Sequence, residues 1–292
     1  MTRKQAPTRS DCALRPLGPD SLTWRLFGDR RSTLLILRTA TLQAMHPAIA
    51  GALVEHSDVF ENPWGRLWRS GPQILQTVYG SEPLGTGTRI RDYHRHVQGT
   101  DADGRRYRAL DPDTYHWAHA TFFESQIATA ECFGDSLSEP EKRQLYAESL
   151  DWYRRYGVTA RPAPPDYASF QSYWERVLEQ VLQPTEIACW ALTQAGRWPA
   201  PWPWMDGPLW LLLRRPVGAG LAWIARGTLG PVIRERLGLR WTPAEERLLR
   251  GFAIAVRALW RVLPGGLGMA PTARAAYRRE RTTGPWRPLR PL

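Results

Sequence analysis

Apolar positions recur along this chain mostly at helical spacing, and alternating runs of β-branched residues are sparse. The pattern predicts an all-α protein. Ser32 to Glu55 reads as a long apolar helix opened by Thr33-Leu34-Leu35-Ile36-Leu37, with His46-Pro47 kinking or restarting it. Asn62-Pro63 predicts a helix start, because proline at the first helical position lacks only an N–H that would be unpaired anyway. Thr86 to Gly99 is the next helical segment, closed by Gly99-Thr100-Asp101 before a turn at Asp103-Gly104. Asp111-Pro112 opens a helix that carries His116 and His119 and runs to about Phe133. An amphipathic helix follows Ser138-Glu139-Pro140 and ends near Tyr156, and Arg161 to Pro165 is a connector. Tyr167 to Leu182 is helical, Thr185 caps a helix through Ala195, and Trp198 to Pro208 is a Pro/Trp-rich loop. Two or three further helices finish the chain, with no internal repeat and no sustained heptads.

Composition changes this picture in three places. The length, 292 residues, suits one large helical domain or two intimately packed ones. Fifteen tryptophans supply either a thick core or the walls of a pocket for a flat apolar ligand, and their spread along the chain favours the core. A net charge of +11, carried mostly by arginine, suits nucleic acid, an anionic membrane surface or the acid groups of a cofactor. No zinc-finger spacing and no basic region leading into heptads accompanies it, so nucleic acid is not expected. Arg274 to Arg290 reads as a solvated charged end.

Cys12, Cys132 and Cys189 are too widely spaced to suggest a disulfide framework or a CxxC metal site. The first twenty residues hold Arg3, Lys4 and Arg9 but no apolar core of a secretory signal, and a cytoplasmic location is the expectation. The strongest apolar run, Leu209 to Leu213, is closed by Arg214-Arg215-Pro216 and is too short to span a bilayer, which leaves weak contact with a membrane surface.

All six histidines (46, 56, 94, 96, 116 and 119) lie between residues 46 and 119. Serine-hydrolase, P-loop and dinucleotide-binding motifs are missing. Two residues apart on a helix, His94 and His96 point roughly 200° from each other. Ile90, Arg91, His94 and Val97 share one stripe, which turns His94 inward and His96 outward. Taken alone, an inward histidine is more often a hydrogen-bonded core residue than a metal ligand. His116 and His119 share a face that can bind metal, although no third ligand is near in sequence. Arg66, Arg69 and Ser70 share another face, where arginine meets either an anion or a carboxylate such as Glu61.

These residues together resemble a family. His46-Pro47, His56-Ser57, Asn62-Pro63, Arg66-Leu67, Arg69-Ser70, Tyr79-Gly80, Arg91, His94, Val97, Gly99, Tyr107, Ala109, Asp111-Pro112, Trp117, His119 and Thr121 are similar to the signature of the MpaB and rubber-oxygenase catalytic domain. The resemblance covers about residues 20 to 280. It implies a catalytic domain over 21–280, between a short arm (1–20) and a basic Pro/Arg tail (281–292).

It also implies a helical fold with a globin-like core and one non-covalent haem b. Arg91-x-x-His94 matches the axial-ligand motif, so His94 is the expected iron ligand. Arg91, Arg66, His119 and His46 are expected to contact the cofactor. Arg66-x-x-Arg69-Ser70 matches the distal motif that rubber-cleaving members write Arg-x-x-Lys-Thr. An always-protonated guanidinium at 69 cannot act as a reversible sixth ligand in place of a lysine amine, which argues against rubber as the substrate. Glu55 and His56, just ahead of that helix, are candidates for proton transfer or simply a polar helix end.

The implied activity is activation of dioxygen at haem to oxidise an apolar substrate such as an isoprenoid, with cleavage of a carbon–carbon double bond as its specific form. A haem-binding sensor or carrier shares every one of these motifs, and oxygen consumption with an added isoprenoid separates it from an oxygenase. A structural helical protein without cofactor would be colourless.

Overall fold

Proline sets the helix boundaries. The computed structural model describes residues 17–264 and 266–283, and among them eight helices begin on a proline. The order is α1 (Leu22–Phe27), α2 (Ile36–Ala44), α3 (Pro47–His56), α4 (Pro63–Tyr79) and α5 (Pro83–Tyr93), then strands β1 (Gln98–Thr100) and β2 (Arg106–Arg108). There follow α6 (Pro112–Phe133), α7 (Glu139–Arg154), α8 (Tyr167–Gln180), α9 (Glu186–Gln194), α10 (Pro208–Thr228), α11 (Pro231–Arg236), α12 (Pro243–Val262) and α13 (Pro271–Thr283). The fold is all-α apart from one small antiparallel hairpin. None of the described helices is long and apolar enough to cross a membrane.

The helix expected over 32–55 restarts at His46-Pro47 as read, because Pro47 drives His46 to an extended conformation (ψ 120°) and divides α2 from α3. Two expectations need correction in this region. The opening residues, Arg30–Leu35, form a 3-10 stretch rather than the first turns of the α-helix. The helix expected to reach Gly99 stops at Tyr93, and the chain then turns into the hairpin, pairing Gln98 with Arg108 and Gly99 with Tyr107. Gly104, at φ +79°, makes its turn. The hairpin lies flat on α3. A Cβ on Gly51 would stand 2.8 Å from the Tyr107 ring, and Tyr107 donates its hydroxyl proton to Glu55 at 2.7 Å.

The main core forms around α6, of whose 22 residues 14 are buried, including Trp117, Phe123 and Phe133. With apolar or small residues on every face, α6 is enclosed by α2, α7 and α12. Arg38 grips Glu124 with two bonds, at 2.6 and 2.7 Å, and donates to the Thr228 carbonyl at 2.8 Å, tying α2 to α6 and α10. Losing one partner of such a buried pair costs about 3–5 kcal/mol.

A second cluster gathers Trp24, Tyr79, Trp152, Tyr153 and Tyr156 with Leu17, Ala273 and Ala276. The segment expected to be a solvated end is therefore structured as far as Thr283. Its α13 buries Ala273 and Ala276 against α1 and α4, and Arg279 donates to the Tyr79 carbonyl at 3.0 Å. Arginines spaced around two small residues had disguised a docking face. Leu17, expected in the arm, is likewise buried. Residues 1–16, with Cys12, and the tail from 284 lie outside the described residues; Cys132 and Cys189 are free thiols.

Candidate functional site

The three residues Gly80-Ser81-Glu82 join α4 to α5, so the two helices pack as an antiparallel pair. Arg66 and Arg69, near the start of α4, and Arg91 and His94, at the end of α5, come to the same open end of this hairpin. Its turn end is fixed by α7 and the residues just after it. Trp152 donates Nε1–H to the Thr77 hydroxyl at 2.6 Å, and Arg155 donates to the Thr77 carbonyl at 2.7 Å. Helix α5 leaves no gap there: a Cβ on Gly87 would stand 2.2 Å from the Arg155 carbonyl oxygen.

His94 caps α5 and is half-buried, while His96 is exposed. The inward and outward assignment holds, although Val97 lies beyond the helix rather than on its stripe. His94 Nδ1 is 2.7 Å from the Ile90 carbonyl oxygen. A carbonyl only accepts, so Nδ1 carries the proton and Nε2 keeps its lone pair. Burial lowers the His94 pKa, the Ile90 carbonyl opposes the shift, and the positive charge of Arg66 lowers it further. The ring packs edge-on to Tyr115 with centroids 6.0 Å apart.

Arg66 donates to the Ser57 hydroxyl at 3.1 Å, and Arg69 pairs with Asp58. Both guanidiniums turn to the segment after α3, and Asp58 takes the place foreseen for Glu61. Ser70 lies half-buried on the same helix. Burial lowers the Arg66 pKa, Arg69 adds to the effect and Asp58 opposes it. Among the described residues Arg66 has no carboxylate at ion-pair distance.

Glu55 and His56 end α3 immediately before Ser57, and both are engaged by the hairpin: Glu55 accepts from Tyr107, and His56 Nε2 is 3.2 Å from the Gln98 carbonyl. Arg91 pairs with Asp92 at 2.8 Å and donates to the Gly157 carbonyl at 3.2 Å. Asp58 was missed in the sequence because loop partners follow no periodicity, while Ser57 and Tyr107 were read only as signature positions with no role.

The other candidate histidines stand elsewhere. His46, at the start of α3, has Asp111, Asp113 and Arg105 as its charged neighbours, and burial pushes its pKa to about 4. His119 lies in the aromatic cluster against Trp152 and Tyr153, its Nε2 3.1 Å from the Ser149 carbonyl and 3.0 Å from that residue's hydroxyl. His116 packs edge-on to Tyr153 and Tyr173. No group of three His, Cys, Asp or Glu among the described residues is placed to hold a metal ion. His116 and His119 thus gain no third protein ligand from the fold.

Comparison with known proteins bears on this arrangement. Uncharacterized proteins of Mycobacterium bovis and Mycobacterium tuberculosis are each 23% identical to the chain over 219 residues, 72% of this chain and 80% of theirs. No solved structure matches. Residues 24–258 match the family described as "ER-bound oxygenase mpaB/B'/Rubber oxygenase, catalytic domain". That span takes in the α4–α5 hairpin, the segment that feeds it and the core beneath it, and the chain belongs to this oxygenase family.

Proposed function

We propose that this protein is a haem b-dependent oxygenase that uses dioxygen to oxidise an apolar substrate, an isoprenoid or a similar molecule, by cleaving a carbon–carbon double bond. The observation that carries the reading is the state of His94. Its Nδ1–H is held by a backbone carbonyl, its Nε2 is free, and burial with a nearby guanidinium keeps the ring neutral. An imidazole that ligates iron needs all three conditions. Bound haem would supply the iron at which dioxygen is activated.

The remaining roles follow from which groups are already neutralised. Arg69 is paired with Asp58, whereas Arg66 meets only a hydroxyl and is the cation available to an incoming carboxylate such as a haem propionate. Arg91, turned by Asp92 and Gly157, orients the end of α5 beside the ligand. His56 carries its proton on Nε2 toward Gln98 and offers Nδ1 as an acceptor, while Glu55 takes a hydrogen bond from Tyr107; both belong to proton handling next to Arg66. In this reading His46, His119 and Ser70 also contribute to holding the cofactor, the core around it is globin-like and the location is cytoplasmic.

Protein purified after haem-supplemented expression should be red-brown and release about one haem per chain into acid–ketone. Oxygen uptake should follow addition of an isoprenoid. A colourless protein overturns the haem assignment; a haem protein that consumes no oxygen with any isoprenoid is a sensor or carrier instead.

A further inference from the structure

We propose that the Pro/Trp loop (198–207) and the first turns of α10 form a face that seats this protein on an anionic lipid bilayer. The face begins on α4. Trp64 and Trp68 stack at 6.1 Å, Trp68 on Trp202 at 5.4 Å, and Trp202 on Trp204 at 5.8 Å. Trp64 and Trp68 give their indole N–H groups to the carbonyls of Pro199 and Pro201, at 2.9 and 2.7 Å. With its polar edge tied to the loop, Trp68 presents only apolar ring to the outside. Prolines at 199, 201 and 203 alternate with these rings and stiffen the loop that carries them.

Exposure then rises along the chain. Trp204 is 79% exposed and Leu212 72%, with Leu209, Leu211 and Val217 also outward. On this part of α10 the inward side is held by Trp210 and Gly218, while Leu209, Leu211, Leu212 and Val217 face outward with no partner among the described residues. A ladder of stacked tryptophans running into exposed leucines exceeds the scattered apolar residues of an ordinary surface. It has the chemistry of an interfacial anchor, amphipathic rings at headgroup depth and aliphatic side chains below them.

The charge around the face selects an acidic partner. Between residues 197 and 217 the chain holds one carboxylate, Asp206, against three arginines at 197, 214 and 215. Arg197 and Arg215 are exposed and, among the described residues, have no carboxylate at ion-pair distance. Together with Thr193 and Ala219 they line a hollow of about 250 Å³ beside α10. Two such guanidiniums at the rim of an apolar face fit the phosphate of an anionic lipid headgroup. A second copy of this chain, carrying the same excess of arginine, would bring like charges together.

The docking stands whether or not the chain holds haem, and vesicles test it without turnover. Protein is floated with vesicles of phosphatidylcholine alone or of equal parts phosphatidylcholine and phosphatidylglycerol, with oligomeric state followed by light scattering. Binding to the acidic vesicles should exceed that to neutral ones at least tenfold and fall as salt is raised. Trp204→Ser with Leu212→Ser should lower it about tenfold at unchanged circular dichroism. Arg197→Glu with Arg215→Glu should abolish the preference for acidic lipid. Equal binding to both vesicle types overturns the proposal, as does wild-type affinity in the Trp204→Ser, Leu212→Ser variant. A dimer that this variant dissociates, with no vesicle binding by the wild type, would make the face a contact between copies.

Discussion

His94 gives its Nδ1 proton to the carbonyl oxygen of Ile90, one turn back on α5, at 2.7 Å. The bond fixes both the tautomer and the direction of the free Nε2, leaving one strong ligand for iron on this helix. His94→Ala should therefore lower haem retention at least tenfold, while His96→Ala, an exposed change, leaves it intact. The haem-to-protein absorbance ratio of each variant checks this, with circular dichroism to confirm folding. A His94→Ala protein with an unchanged haem spectrum would move the ligand elsewhere.

The ion pair of Arg69 with Asp58 bears on the sixth position. Arginine cannot ligate, so ferric protein should bind imidazole or cyanide readily. Arg69→Lys alone should change little, because Asp58 holds an ammonium as well as a guanidinium. Combined with Asp58→Asn, the lysine is released and a six-coordinate, nitrogen-ligated spectrum should appear. The same spectrum in the wild type would contradict this account of the distal side.

Two buried histidines, His116 and His119, and the half-buried His46 make the fold sensitive to acid. Burial pushes His116 and His46 down to about 4 and, with the charge of His116 adding, His119 to about 3. Their folded pKa values are depressed, so below the ordinary value of 6.5 the unfolded chain takes up protons that the folded chain refuses. Stability is full above about pH 6.5 and is lost as the pH falls toward 4, on the order of 3 kcal/mol for each fully neutral histidine. Urea titrations at several pH values measure it. His116→Gln should flatten the slope, and a midpoint independent of pH between 7 and 4 would contradict the argument.

Gly87 touches the Arg155 carbonyl with no room for a side chain. Gly87→Ala must lift α5 from α7, costing about 1–3 kcal/mol and loosening His94 with it. Gly251, in the middle of α12 with nothing within 4 Å of where a Cβ would stand, is the control. There alanine should stabilise by up to about 1 kcal/mol. Thermal unfolding of the two variants should move in opposite directions.

Helix starts were legible in the sequence because they are written in local chemistry. Asn62, Asp111 and Thr185 each cap the helix they announce, with the side chain accepting a backbone N–H. The β hairpin was not, since Gln98-Gly99-Thr100 and Arg106-Tyr107-Arg108 show no apolar alternation and rest on α3 through Tyr107 and the Gln98 carbonyl. Missing it overextended α5 past His94. The tryptophans divided: Trp117 and Trp152 fill cores, as their spread suggested, while Trp202 and Trp204 line the surface. The site was legible as residue types on helix faces, but its pairing was not. Asp58 and Ser57 reach Arg69 and Arg66 from a loop, and only the fold brings them there.

The seam near α13 also has a consequence in time. The Ala270 N–H bonds to the Gly28 carbonyl at 2.8 Å and the Arg30 N–H to the Gly268 carbonyl at 3.0 Å, while α13 lies on α1 and α4. At ribosomal speeds of roughly 5–20 residues per second, α13 emerges on the order of ten to fifty seconds after α1. For that interval Trp24 and Tyr79 lack the alanines that cover them. The hairpin bearing His94 is translated well before α13 and is locked only once α13 arrives. A ribosome stalled before Pro271 should therefore display a nascent chain whose α1 and α4 stay open to proteolysis, although every candidate haem contact has already left the tunnel.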